Sequence, residues 1–313
     1  MDTKWLEDFV SLAETRSFSR SAQLRHVTQP AFSRRIQSLE AWAGTDLVDR
    51  SSYPTRLTPA GQTLYEQALE WLHSLQATRN TLRQHSAAAQ DTIEFAVPHT
   101  LAFTFFPAWL SGLRATVGPV KSRLIALNVH DAVLRLVEGS CDLLLAYHHP
   151  SQPIQLDPQR YEMLSLGQEH LLPFAKPDAQ GRPLYRLPGT AEQPVPLLAY
   201  APGAYLGRVV DWVMRQAGEA VQVERVYETD MSESLKAMAI EGHGLAFLPA
   251  SAVQQALGDG RLVMAAADPE RWQGRLDIRL YRAAGGKGKR AALQFWDDLR
   301  QGAWPAQDET IPP

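Results

Sequence analysis

Ser17-Phe18-Ser19-Arg20-Ser21-Ala22-Gln23 and, after a short gap, Thr28-Gln29-Pro30-Ala31-Phe32-Ser33-Arg34-Arg35-Ile36-Gln37-Ser38-Leu39 read as two short helices joined by a tight turn. In the second, Phe32, Ile36 and Leu39 fall on one face. At about 100° per residue, Pro30, Ser33, Arg34, Gln37 and Ser38 point the other way. An apolar inner face under a polar, cationic outer face is how a helix-turn-helix presents a reading helix to DNA. Thr28 is expected to cap this helix by accepting bonds from its free N–H groups. Pro30 fits the first turn, where a missing N–H costs nothing, and Gly44 stops the helix.

Working outward, a helix is expected from about Thr3 to Thr15, with Leu6, Phe9, Val10 and Ala13 in one stripe. Ser19 is expected to cap the helix that carries Ala22 and Leu24. Leu47–Arg50 and Thr55–Leu57 flank Ser51-Ser52-Tyr53-Pro54 as two short strands, a wing with Arg50 and Arg56 at its base. Thr58-Pro59-Ala60-Gly61 opens a long helix running without a breaker to about His85. In it, Leu64, Ala68, Trp71, Leu75, Thr78 and Leu82 alternate spacings of four and three, a heptad seam whose simplest use is a coiled-coil dimer. The other reading is a helix packed on its own domain. Residues 86–90 read as a hinge.

After residue 91 strands and helices alternate, which implies a parallel sheet with helices on its faces. Strands are expected at 93–97, 120–127 and 142–147, near 170–174, and at 195–200, 221–227, 244–248 and 274–282. Helices are expected around Phe103, Phe106 and Leu110, and at 131–138, 204–217, 231–241, 250–257 and 290–301. The fold class is α + α/β. Residues 1–58 form a winged helix-turn-helix, 59–90 a linker and dimerisation helix with its hinge, and 91–303 a two-lobed effector domain. Lobe I takes about 91–167 and 268–303, lobe II about 168–267, and the Pro-rich acidic residues 304–313 form a loose tail.

The 313 residues carry a net charge of −3, which does not by itself announce a nucleic-acid binder. The charge is uneven, however. Arg16, Arg20, Arg25, Arg34, Arg35, Arg50 and Arg56 face only Glu40, Asp46 and Asp49 over residues 16–56. Such a local cationic surface suits phosphate contact. The single cysteine, Cys141, excludes an internal disulfide and a Cys-rich zinc site, and reads as a packed thiol. No signal peptide and no membrane-spanning apolar run is read, so the cytoplasm is the expected location.

With these motifs the chain resembles the LysR-type transcriptional regulators. The residues that carry the resemblance are Ser17–Ala22, Thr28–Ile36 with Leu39-Glu40, Leu57–Gly61, and Gly242-His243-Gly244-Leu245-Ala246-Phe247-Leu248-Pro249. The resemblance implies a winged helix-turn-helix, a linker helix that dimerises, and a periplasmic-binding-protein-like effector domain. It also implies tetramers that bend double-stranded promoter DNA and change contacts with RNA polymerase when a signal binds. Asp2–Leu6, Gln29–Ile36, Tyr205-Leu206-Gly207-Arg208 and Met231–Lys236 look like the hypochlorite-responsive branch, where methionine oxidation is the proposed signal. Met231 matches one methionine of that branch, and Leu206 stands where the branch has another.

Gln29, Ser33 and Arg34 are the expected base readers, since glutamine suits an adenine edge and arginine a guanine edge. Gln29 is placed there by the resemblance more than by its helical angle. Arg35, Arg50 and Arg56 are expected on phosphates, which fix position, and Thr28 and Pro30 at the reading end. Effectors bind α/β lobes beyond the carboxyl ends of strands. That points to His99, Thr100, Asn128, Tyr147, Tyr200, Tyr205, Leu206, Met231 and Phe247. Asp131 and Asp230 precede helices and read as caps. Met231 reads equally as a packed methionine or as a thioether that oxidation would make polar. His148-His149 invites a metal, but adjacent side chains on a strand point apart, so neither metal nor other cofactor is expected.

An enzyme would need a catalytic constellation, and no Gly-x-Ser-x-Gly elbow, Walker loop or metal-spaced His/Glu set is present. The effector is read as a small molecule or oxidant, with a small organic acid or aromatic inducer as the alternative. A solute-binding protein would explain two lobes but would carry a signal peptide and no reading helix.

Overall fold

The computed structural model describes residues 2–52, 54–83, 91–218, 220–286 and 288–303. It divides into two units, residues 1–89 with 137–140, and residues 90–136 with 141–313. Expectations for residues 84–90 and the 304–313 tail lie outside the described residues.

In the N-terminal unit, α1 (Thr3–Thr15), α2 (Phe18–Leu24) and α3 (Gln29–Ala43) pack together, followed by β1 (Val48–Asp49), β2 (Arg56–Leu57) and α4 (Pro59–Arg83). Asp2 caps α1 by accepting from the Lys4 N–H at 3.0 Å. Phe9, Leu12, Phe32, Ile36 and Leu39 are fully buried, and Phe18 meets Phe32 edge-on at 6.1 Å. Ser17, not Ser19, caps α2 by accepting from the Arg20 N–H. The helix starts two residues earlier than the serine-rich run suggested, which frees the Ser19 hydroxyl from capping. Thr28 holds the N-cap backbone conformation of α3, but its side chain makes no capping bond. Gly44 ends α3 at φ 70°. Gly61 sits in the first turn of α4, where a Cβ would stand 2.0 Å from the Leu47 carbonyl oxygen. Only glycine lets α4 approach the wing this closely.

Ala68 and Leu72 are buried within the single chain, where α4 packs on α1, while Trp71 and Leu75 are exposed.

Two buried carboxylates join these elements. Asp8 of α1 is fully buried and accepts from Arg25 Nε at 2.9 Å and Arg35 Nη1 at 3.0 Å, so it ties α1 to α2 and α3. Glu40 of α3 accepts from the Leu47 and Val48 N–H groups at 3.1 and 3.3 Å and from Arg50 Nη2 at 2.6 Å, which fixes the wing.

The second unit is built on one nine-stranded sheet of order β4-β3-β5-β11-β6-β9-β7-β8, with β10 (Val263–Met264) on β6. β3 (Thr92–Pro98), β4 (Lys121–Leu127) and β5 (Leu143–His148) are parallel, as are β7 (Val195–Tyr200), β8 (Val223–Thr229) and β9 (Leu245–Pro249). Between the two sets, β6 (Tyr161–Ala175) and β11 (Gly274–Ala283) run antiparallel to each other and to their outer neighbours. The helices are α5 (His99–Thr104), α6 (Phe106–Leu113), α7 (Val129–Val137), α8 (Tyr205–Gln216), α9 (Ser232–Glu241), α10 (Ala250–Gly258) and α11 (Arg290–Asp298). The expected alternation is present, with β6 extended back to Tyr161 and the helix expected around Phe103–Leu110 broken in two at Phe105. Phe103 is exposed rather than buried. Asp131 lies inside the first turn of α7, and Met231 rather than Asp230 occupies the N-cap of α9. Cys141 is buried, and burial pushes its thiol well above the usual range, as expected of a packed cysteine.

Replacing Asp8 with alanine takes the partly buried Arg35 guanidinium's carboxylate away and leaves Arg25 paired with Glu7 alone. Breaking such a pair costs about 3 kcal/mol. An earlier denaturant transition of the N-terminal unit, partly recovered in Asp8→Asn, is the expected result.

Candidate functional site

On the N-terminal unit, Thr28, Gln29, Pro30 and Arg34 are exposed at the start of α3, with Ser33 half-buried. The Ser19 hydroxyl donates to Gln29 Oε1 at 3.0 Å, so the side-chain amide is turned with its NH2 away from α2. Arg34 Nε donates back to the Pro30 carbonyl at 3.3 Å, which holds the guanidinium along the exposed face. Arg20, Arg34 and Arg56 are exposed. Arg35 and Arg50, expected on phosphates, direct N–H groups to the buried Asp8 and Glu40. Part of each remains accessible, but their first task is to neutralise buried charge. Sequence reasoning missed Asp8 and Glu40, although Asp8 interrupts the apolar stripe of α1 and is for that reason a polar residue aimed at the core.

In the second unit, β3, β7, β8 and β9 run into α5, α8, α9 and α10 in turn. Thr100 of α5 and Ser232 of α9 meet with their hydroxyl oxygens 3.0 Å apart. Ser232 Oγ also lies 2.8 Å from the hydroxyl of Tyr200, at the end of β7. All three residues are buried. This chain of hydroxyls joins an element of lobe I to two elements of lobe II. The Tyr147 hydroxyl is buried without a hydrogen bond of good geometry among the described residues. The Thr104 hydroxyl beside it is the group that favours its ionisation. Burial raises the pKa of Tyr147 and Tyr200 well above the ordinary phenol, so both stay protonated donors. Phe247 of β9 is buried. It lines a small cavity together with Tyr200, Leu197 and Met214. An open groove lined by Tyr185, Pro188 and Trp272 includes none of the residues singled out from the sequence.

Tyr205 and Leu206 play a different part. The Tyr205 hydroxyl accepts from the His149 N–H at 2.7 Å and donates to the Gln152 carbonyl at 2.9 Å. Arg208 Nε donates to Gln152 Oε1 at 2.8 Å, and the His149 ring packs on Trp212 at 4.7 Å. The loop after β5 is thus fastened to α8 by Tyr205, Arg208 and Trp212, at i, i+3 and i+7. Leu206 is buried. His149 also shares its Nδ1 with the Ser151 hydroxyl at 2.7 Å, and burial lowers the pKa of both His148 and His149. Among the described residues no group of His, Cys, Asp and Glu could hold a metal ion.

His99 opens α5 beside Thr100 and is half-buried. Asn128 is exposed at the end of the edge strand β4. Met231 is 38% exposed at the N-cap of α9, next to Ser232. Ser232 and Gln152 were not singled out from the sequence. Ser232 follows Met231 at a helix start, and that position was its only signal.

The helix-turn-helix model of the lysR family of bacterial regulatory proteins matches residues 3–62, and the LysR substrate binding domain matches residues 86–304. The HTH-type transcriptional regulator YjiE of Escherichia coli K12 is 31% identical over 307 residues, covering 96% of this chain and 95% of that protein. Full-length HypT from Salmonella typhimurium, a hypochlorite-specific LysR-type regulator, is 31% identical with a TM-score of 0.58 over 96% of this chain and 97% of its own. DarR from Vibrio fischeri, solved with DNA, is 30% identical with a TM-score of 0.57 over 96% and 98%. The chain belongs to the LysR family of transcriptional regulators. It is a DNA-binding regulator with a ligand-binding domain, and its relatives are regulators rather than enzymes.

Tyr205→Phe removes the acceptor of the buried His149 amide and the donor to the partly buried Gln152 carbonyl. A loss of about 1–3 kcal/mol is expected for such unpaired groups, seen as lower stability of the second unit with the N-terminal transition unmoved.

Proposed function

We propose that the effector of this regulator binds where the Thr100, Ser232 and Tyr200 hydroxyls meet, and that it acts by changing this bridge between the lobes. The observation that carries the reading is the bridge itself. A small polar ligand that replaces the 3.0 Å contact between Thr100 and Ser232 alters the only link these two elements share through side-chain hydroxyls among the described residues. Tyr147 adds a buried donor at the same place, and Phe247 an apolar wall. Tyr205 and Leu206 then serve the frame of the site and not the ligand. A small organic acid or aromatic inducer fits this chemistry.

The exposed Met231 thioether favours a second reading, in which the signal is an oxidant. Oxidation there puts a sulfoxide at the N-cap of α9, one residue from Ser232. HypT is described as hypochlorite-specific, and its regulatory domain has been solved with a bromide ion bound. Leu206 has no sulfur to oxidise, so Met231 would act alone of the two positions.

On the DNA side, Gln29, Ser33 and Arg34 read bases in the major groove, with Thr28 and Pro30 bordering them. Arg56 and the accessible parts of Arg35 and Arg50 hold phosphates. Trp71 and Leu75 of α4 form the dimer contact. The dimers pair into tetramers that bend promoter DNA in the cytoplasm and change contacts with RNA polymerase. Among the described residues no helix is long and apolar enough to cross a membrane.

Arg34→Ala is expected to weaken operator binding about 10- to 100-fold, the 1–3 kcal/mol of one bidentate base contact, with oligomeric state unchanged; equal gel-shift affinity would remove Arg34 from the readers. Leu75→Glu is expected to shift sedimentation toward monomer. For the effector, Thr100→Val and Met231→Gln separate the two readings. Loss of ligand-induced thermal shift in the first supports the hydroxyl site. Constitutive reporter output in the second supports the oxidant.

A further inference from the structure

Glu169 is a buried carboxylate in a domain whose other features suit a polar ligand. Its position follows from strand register. Glu169 pairs with Leu276 across β6 and β11, and Ile278 pairs with Tyr147 across β11 and β5. Paired residues share a face, as do residues two apart on one strand. Glu169 therefore projects from the same face of the sheet as Tyr147, with β11 between their strands. That face carries the main apolar core, including Leu101 of α5.

The carboxylate accepts from the His170 N–H at 2.9 Å, from the Ser251 N–H at 3.3 Å and from the Ser251 hydroxyl. Ser251 stands in the first turn of α10, which packs on α5. All three donors are neutral. Lys236 of α9 bonds the Ala252 carbonyl, next to Ser251, at 3.1 Å and pairs with Glu233. The Glu169 charge bears on both the Tyr147 and Tyr200 hydroxyls. A second negative charge placed among those hydroxyls would share a poorly solvated space with it, and two such charges do not both persist; one is neutralised by a proton.

We propose that Glu169 links effector binding to a proton: an anion enters the Thr100–Ser232–Tyr200 site together with a proton from water on the Glu169 carboxylate, so that the site takes up the equivalent of a neutral acid. The inference rests on the reading of this cleft as the effector site. Burial already raises the Glu169 pKa, against the bonds from Ser251 and His170. The titratable groups around Glu169 are His170 on its own strand, which bears on its charge, and Tyr147 of β5 and Tyr200 of β7, on which its charge bears; Glu233 of α9, paired with Lys236, bears on Tyr200 in turn. Both tyrosines stay protonated because they are buried, and His170 is separated from Glu169 by mutation.

Inorganic bromide is the probe, since it carries no titrating proton. Its apparent Kd for the full-length protein is read from the bromide-dependent rise in Tm at each pH. In the wild type, Kd is expected to rise by up to about tenfold per pH unit above the pKa of Glu169. Glu169→Gln should bind with one Kd at every pH, while His170→Gln keeps the wild-type slope. A flat wild-type profile, a slope that survives in Glu169→Gln, or no bromide binding by either protein overturns the proton link. Thr100→Val tests the underlying site separately. If it abolishes binding while the wild-type profile is flat, only the proton link fails. If a pH-dependent Kd is untouched by it, the cleft reading fails as well. Should Glu169→Gln not fold, Ser251→Ala keeps the charge and removes a donor. Its Kd profile should then shift to higher pH, and an unmoved profile overturns the proposal.

Discussion

The antiparallel pairing of β6 with β11 is the constraint on which the effector domain depends. It runs from Gly274 against Leu171 to Ala283 against Tyr161. Each strand carries its own lobe's parallel set on its far side. Because these two strands lie side by side, the carboxyl ends of both sets are brought to a common cleft. Thr100 and Ser232, 132 positions apart in the chain, come within hydrogen-bonding distance as a result. Glu169 sits on this same pair, which is why a residue of the crossing strand bears on hydroxyls from both lobes.

In the N-terminal unit the organising feature is charge rather than backbone pairing. Burying Asp8 and Glu40 is unfavourable unless each is matched by cations and donors, and Arg25, Arg35 and Arg50 supply the match. The hydrophobic stripe brings the helices together, and the carboxylates set how the second and third helices and the wing are placed. The basic surface that remains is smaller than the arginine count of this segment implies.

Much of this was legible in the sequence. The 3.6-residue stripes located α1 and α3, and Thr58-Pro59 located the start of α4. The strand–helix alternation gave the α/β architecture with small shifts of boundary. What stayed hidden involves partners distant in sequence. Arg35 is 27 positions from Asp8, and no local pattern tells a phosphate-binding arginine from one that neutralises a buried acid. The same holds for Ala68, which satisfies a heptad seam and a packing contact with α1 equally well. Ser17 and Ser19 were indistinguishable as caps because the start of α2 depends on where α1 ends, at Arg16 in a left-handed conformation. The cleft was legible as a region but not as a mechanism. Tyr200 ends β7 and Tyr205 opens the helix that follows, yet one faces Ser232 and the other fastens a loop.

The ladder between β6 and β11 is unbroken except for a register shift between Ile278 and Arg279, opposite Gly167. A bulge increases local twist without cutting the sheet. Two lobes joined through such a ladder are not a clam shell on a loose hinge. They are parts of one hydrogen-bonded sheet whose added twist is concentrated at a single point.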